Sequence, residues 1–115
     1  LAGLRPNVMA GAAYSAAKAA ARAYMEVLYS EVRRHGIRCT TIFPGEVDTP
    51  ILDNRALPPD AKARATMMQA EDISAVVMTA LQLPPRATVL ELSIGATEPR
   101  DMSDDVRAAL TKEKP

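Results

Sequence analysis

The sequence predicts an α/β fold that holds part of a parallel sheet, and three observations carry that reading. A long alanine-rich segment of helical periodicity runs through one glycine into a β-branched stretch, Ile37 to Phe43. A second helix-periodic segment leads into a second β-prone stretch, Thr88 to Ile94. Two strands separated by helical segments suit a parallel arrangement, yet two strands cannot make a stable sheet and a parallel sheet needs cover on both faces. The pattern therefore reads as part of a domain.

Each element follows from local chemistry. Residues 1–13 hold Gly3, Pro6, Asn7 and Gly11 and read as a loop. From about Ala13 to His35, the residues Ala17, Ala20, Ala21, Tyr24, Leu28 and Val32 recur at spacings of three and four, which predicts an amphipathic helix. Arg33, Arg34 and His35 suit the negative end of its dipole, and Gly36 is placed to close it. The alanine face is poor in bulk and suits close approach to a sheet or another helix; Tyr24 and Tyr29 read as packing residues. Gly36 is the one residue between the helix and the β-branched run that starts at Ile37, so the αβ connection is tight. Pro44-Gly45 ends the first strand, and Ile51 to Pro59 reads as irregular. Asp60 suits the cap of a short helix reaching about Met68. Glu71 to Leu83 is the second clear helix, with Ile73, Val76, Val77, Ala80 and Leu81 as its apolar stripe and Pro84-Pro85 as its stop. Beyond Gly95 the chain turns polar, and Ser103 suits the cap of a short helix over Asp104 to Thr111, ahead of a charged tail.

Composition narrows the function classes. Fourteen basic and 14 acidic side chains balance among 115 residues, which removes the electrostatic case for nucleic acid or an acidic membrane. No apolar run is long enough for a bilayer, and no signal-peptide pattern follows Leu1. The single Cys39 cannot form an internal disulfide and lacks companions for a zinc site, so the expectation is a reducing, cytoplasmic setting and no metal. With no Trp, one Phe and three Tyr, any core must be aliphatic.

Two motifs carry chemistry. Tyr14 and Lys18 stand four apart near the start of the first helix and so share a face. A cation held beside a phenol favours phenolate, which suits a tyrosine to proton transfer. By itself the pair also reads as a tyrosine at a helix edge beside a solvated lysine. The second motif is Pro44-Gly45-Glu46-Val47-Asp48-Thr49-Pro50. At the carboxyl end of a parallel strand it lies where α/β sheets bind ligands. It also reads as a strand-ending turn in which Thr49 caps a helix begun by Pro50.

The helix with Tyr14 and Lys18, then Gly36, a strand, and Pro-Gly-x-Val-x-Thr-Pro, in this order and spacing, resembles the short-chain dehydrogenase/reductase family. Ala2-Gly3-Leu4-Arg5-Pro6 is similar to that family's loop leading to its catalytic tyrosine. Met68 to Ile73, Leu83 to Ala87 and Val89 to Leu92 are similar to its C-terminal helix and last strand. The resemblance covers residues 1–97 and implies the C-terminal half of a Rossmann-like, doubly wound parallel sheet, here incomplete; residues 98–115 are a polar tail outside it.

The resemblance also implies roles. Tyr14 would be the general acid that protonates a carbonyl oxygen while NAD or NADP exchanges hydride with its carbon, and the base in the oxidative direction. Lys18 would favour the phenolate and hydrogen-bond the nicotinamide ribose. Pro44, Gly45 and Val47 would line the nicotinamide pocket, the Val47 backbone meeting the carboxamide; Thr49 would hold the carboxamide or pyrophosphate. Ile51 to Met68 would be the substrate lid. Its Arg55, Lys62 and Arg64 read as solvated charge, or as groups that steer an acidic substrate. The partners implied are a small carbonyl or alcohol and, through the Tyr14 helix, a second subunit of the full-length enzyme. The family's Gly-rich dinucleotide loop and catalytic serine have no counterpart in these 115 residues, and Ser15 and Ser30 are misplaced for the serine's part, so the segment alone is expected to be inactive. Two other readings stay open on the residues: a non-catalytic α/β module that associates through the alanine helix, and a small helical packing domain without a ligand.

Overall fold

The computed structural model describes residues 1–111. Helix α1 (Ala12–Val32) passes through a 3-10 turn (Arg33–His35) to strand β1 (Thr41–Pro44). A second 3-10 turn (Pro50–Asn54), the short helix α2 (Ala61–Arg64) and helix α3 (Ala70–Gln82) lead to strand β2 (Glu91–Ile94) and helix α4 (Ser103–Thr111). β1 and β2 pair in parallel, Thr41 opposite Glu91 and Pro44 opposite Ile94. The connection between them carries α3, as parallel pairing demands. The predicted α/β class, with part of a parallel sheet, is what forms, and it is a partial Rossmann-like layer.

Glycine sets both ends of α1. Gly11 precedes it at φ 78°, and Gly36 follows the 3-10 turn in the left-handed region at φ 73°, where a Cβ would be strained. α3 starts with a capping box: Asp72 accepts the Gln69 backbone N–H at 2.7 Å, and the Gln69 side chain accepts that of Asp72. The sequence reading placed only Glu71 and Asp72 there, as favourable charge. The other end of α3 is closed from a distance. The Arg38 guanidinium donates to the carbonyls of Leu81 at 3.1 Å and Leu83 at 3.0 Å, satisfying acceptors that the last turn leaves free.

Several boundaries differ from the sequence reading. Ile37–Thr40 and Thr88–Leu90 are β-prone but precede the ladder, which opens where the Thr41 N–H meets the Leu90 carbonyl at 3.0 Å. A strand exists only where a neighbour supplies hydrogen bonds, and propensity cannot locate the neighbour. Asp60 does cap a helix, accepting the Ala63 N–H at 2.7 Å, but α2 ends at Arg64 and Met68 instead pairs with Val47. Ser103 is the first residue of α4 and not its cap; Asp101 accepts its N–H at 2.9 Å and its hydroxyl at 2.6 Å. Of the predicted charged tail, residues 112–115 lie outside the described residues.

The burial of α1 agrees with the predicted face at Leu28 and Val32 and corrects it nearer the N-terminus. Ser15, Arg22, Met25, Leu28, Tyr29 and Val32 are covered or half-covered, whereas Ala17, Ala20 and Ala21 are exposed. Tyr24, read as a packing residue, is 66% exposed. The alanine stripe thus faces away from the rest of this segment. The core is correspondingly small: Cys39, Phe43, Leu52, Met67 and Met68. A radius of gyration of 16.5 Å exceeds the roughly 13 Å of a compact chain this long. A two-stranded layer leaves its helices with more apolar face than it can cover. Among the described residues no helix is long and apolar enough to cross a membrane.

Candidate active site

Tyr14 and Lys18 occupy the first two turns of α1, and the Lys18 ammonium lies 5.3 Å from the centroid of the Tyr14 ring. The i,i+4 geometry delivers the predicted proximity without help from elsewhere. Both side chains are exposed. Their helix is joined to the end of β1 by the loop that precedes it. Gly3 is pressed between the Lys18 carbonyl and the Phe43 ring, so closely that a Cβ there would stand 2.9 Å from one and 3.2 Å from the other. Leu1 donates from its nitrogen to the Pro44 carbonyl at 2.6 Å. The fold therefore brings the Tyr14/Lys18 end of α1 together with the start of the Pro44–Thr49 loop.

That loop is held by long-range bonds. The Gly45 N–H donates to the Ile94 carbonyl at 2.8 Å, extending the β1–β2 ladder by one bond. Val47 and Met68 form an isolated parallel bridge in which the Asp48 N–H donates to the Met68 carbonyl at 2.8 Å. Neighbouring residues of an extended chain direct their amides to opposite edges, so the Val47 N–H and C=O face away from Met68. Thr49 precedes the 3-10 turn, with Pro50 in its first turn, as the structural reading of the motif required. Its side chain makes no capping bond, which leaves the hydroxyl for another acceptor or donor.

Glu46 is the residue that sequence reasoning passed over. Its carboxylate accepts from Arg100 Nε at 2.8 Å and Nη2 at 3.0 Å, and also from Arg55. The same Arg100 forks onto Asp105 of α4 at 2.7 and 2.8 Å. Burial would raise the Glu46 carboxyl, but the bonds from Arg100 and Arg55 outweigh it and hold it below the ordinary carboxylate range. Asp105 is lowered mainly by its bonds to Arg100, and Arg100 is in turn raised by Asp105 and Glu46. Arg64 likewise pairs with Asp48 at 2.7 Å and with Asp53. Two of the three cations of segment 51–68 read as solvated or steering, Arg55 and Arg64, are thus engaged with Glu46, Asp48 and Asp53. No local signal could have found the Glu46–Arg100 pair, whose members lie 54 residues apart.

Two concavities open at the carboxyl ends of the strands. A shallow groove of about 530 Å³ runs between Met67, Met68 and Asp72 on one side and Ile94 to Glu98 on the other. A smaller one of about 240 Å³ is walled by Leu1, Gly45, Glu46, Gly95 and Arg100. Among the described residues no cluster of His, Cys, Asp or Glu could hold a metal ion.

The family model for short chain dehydrogenases matches residues 1–59, the half of the chain that carries Tyr14, Lys18 and the loop. The chain belongs to the short-chain dehydrogenase family. Among its relatives in that family, farnesol dehydrogenase of Aedes aegypti is 37% identical over 83 residues, covering 70% of this chain and 32% of the relative. The 1-deoxy-11-beta-hydroxypentalenate dehydrogenase of Streptomyces exfoliatus is 35% identical over 95 residues, covering 83% and 34%. An uncharacterized oxidoreductase of Staphylococcus epidermidis is 35% identical over 83 residues, covering 72% and 34%. The matched segment thus spans about a third of the length of each of these curated relatives.

Proposed function

We propose that the full-length protein is an NAD- or NADP-dependent oxidoreductase acting on a small carbonyl compound or secondary alcohol, with Tyr14 as its general acid and base. The observation that carries this reading is the Tyr14/Lys18 pair, 5.3 Å from ammonium to ring, set beside the Pro44–Thr49 loop in a chain of this family. The bound coenzyme supplies the hydride. Tyr14 donates its phenolic proton to the carbonyl oxygen in reduction and takes it back in oxidation. Lys18 keeps its ammonium beside the Tyr14 ring and hydrogen-bonds the ribose. Pro44 and Gly45 line the nicotinamide side of the pocket, where the Gly45 backbone lies close to the end of β2.

The loop suits the carboxamide it is proposed to hold. A primary amide needs both a donor and an acceptor, and the Val47 backbone directs one of each away from Met68. The free Thr49 hydroxyl offers either. The glycine-rich phosphate loop is not among these 115 residues, and the segment by itself is proposed to be inactive. The exposed alanine face of α1 suits a subunit interface, in keeping with a homo-oligomer of the full-length protein.

The test is coenzyme turnover by the full-length gene product over a panel of aldehydes, ketones and alcohols. Tyr14→Phe should abolish turnover and leave coenzyme binding intact; retained turnover removes Tyr14 from the acid/base role. A second reading draws on the same uncovered alanine face: a non-catalytic module that associates through α1. It would show no turnover on any of these compounds, and an oligomeric state lost on Ala20→Glu.

A further inference from the structure

We infer that Arg100 is a positioning residue of the coenzyme pocket, acting through Glu46 on the Val47 backbone amide. The inference rests on the oxidoreductase reading above and adds to it a residue from the polar tail, a segment with no part in the sequence-based site.

The Val47 N–H belongs to the peptide that Glu46 begins, so its direction is set where Glu46 is held. On one side the chain is fixed by the Gly45 N–H on Ile94, on the other by the Asp48 N–H on Met68. Between those two backbone anchors the Val47–Met68 bridge brings the Glu46 carbonyl only loosely against Met68, and among the described residues the close bonds at Glu46 are those of its carboxylate. Arg100 grips both carboxylate oxygens, Nε on one at 2.8 Å and Nη2 on the other at 3.0 Å. A planar guanidinium in a two-point grip defines orientation as well as distance, which a single lysine contact cannot do. The grip is itself braced, because Arg100 makes a second two-point contact with the buried Asp105 of α4. Arg55, just past the 3-10 turn of the lid, donates to the same Glu46 carboxylate. Lid and tail therefore converge on the residue next to the amide. Glu46 and Arg100 also wall the smaller concavity at the strand ends.

Binding measurements on the full-length protein separate this role from plain structural support. Wild type, Arg100→Gln and Glu46→Gln would be titrated with NADH or NADPH, and with ADP-ribose or its 2′-phosphate, which lack the nicotinamide ring. Each variant should bind the dinucleotide about tenfold more weakly, roughly one hydrogen bond, and hold the ring-free ligand within about twofold of wild type. The double variant should lose no more than the worse single one, because both act through one contact. Retained ADP-ribose affinity would itself show that the variants fold. Equal weakening toward both ligands, an unchanged dinucleotide affinity, or an effect from Glu46→Gln alone would overturn the role of Arg100. A wild-type protein that binds neither dinucleotide would overturn the oxidoreductase reading, and this inference with it.

Discussion

The two halves of the candidate site are built in opposite ways. The Tyr14/Lys18 pair is local: one helical turn brings ammonium and ring together, both side chains are exposed, and nothing outside α1 is needed for their contact. The Pro44–Thr49 loop is the reverse. It is tied to β2 through Ile94, to the segment 51–68 through Met68 and Arg55, and to the tail through Arg100. A site can thus take its reactive groups from helix geometry and its binding groups from distant chain. The first arrangement fixes which atoms meet. The second fixes where a backbone amide points, which a loop alone cannot hold.

Four substitutions or conditions would break or sharpen that contrast, the largest effect first. Tyr14→Phe should reduce turnover of the full-length protein by about 10²–10⁴-fold, the usual contribution of a positioned acid/base, with coenzyme affinity unchanged in a direct titration. A parallel loss of affinity would mean that the local pair is not independent of the loop.

Gly3→Ala attacks the joint between the two halves. The added methyl meets the Lys18 backbone carbonyl at 2.9 Å and the Phe43 ring at 3.2 Å, and backbone cannot swing aside. A loss of about 1–3 kcal/mol is expected by chemical denaturation. Gly45→Ala is its control, since that methyl would meet its neighbours at 3.4 Å or more. If the two substitutions destabilise equally, Gly3 is not the tight point between α1 and β1.

Acid should loosen the loop and spare the pair. The folded state holds the Glu46 and Asp105 carboxyls below their ordinary range, for Glu46 because its bonds to the two arginines outweigh burial. Their contribution is therefore complete above the unfolded carboxylate range, near pH 4–4.5, and is lost as pH falls through the lower folded values. The difference in unfolding midpoint between wild type and Arg100→Gln should be constant near neutrality and shrink on acidification below that range. A difference that grows in acid would reverse the sign assigned to the network.

The smallest effect belongs to the Arg22–Glu91 pair, which links α1 to β2 at 2.6 Å with both side chains partly exposed to solvent. Glu91→Gln should leave the unfolding midpoint without a resolvable change, in low salt and high. A clear, salt-sensitive loss would give α1 a firmer attachment to the sheet than its exposure implies.

Legibility followed the same division. Elements encoded over a few residues could be read: α1 with its flanking glycine, the Asp60 cap, α3 with its Pro84 stop, and the Tyr14/Lys18 spacing. The alanine stripe shows the limit. Periodicity correctly predicted a helix and the half-covered Leu28 and Val32, but misplaced the covered face over the first turns, because Ser15, Arg22 and Met25 meet the rest of the segment while Ala17, Ala20 and Ala21 do not. Periodicity reports that a face is apolar and cannot say whether the surface that covers it lies in the same segment. The short ladder teaches the same lesson, since seven β-prone residues from Ile37 yielded a strand only from Thr41, where β2 begins to supply partners.

The sequence by itself determined the α/β class, the order of elements, the family resemblance and the proximity of Tyr14 and Lys18, all of which rest on spacings of a turn or two. Only the tertiary structure decided which acid holds the loop and which arginine holds the acid. Glu46 and Arg100 meet across 54 residues of chain, through a parallel crossover and the tail that follows it. No periodicity extends that far; such a contact exists only once the sheet has set the distance between its ends.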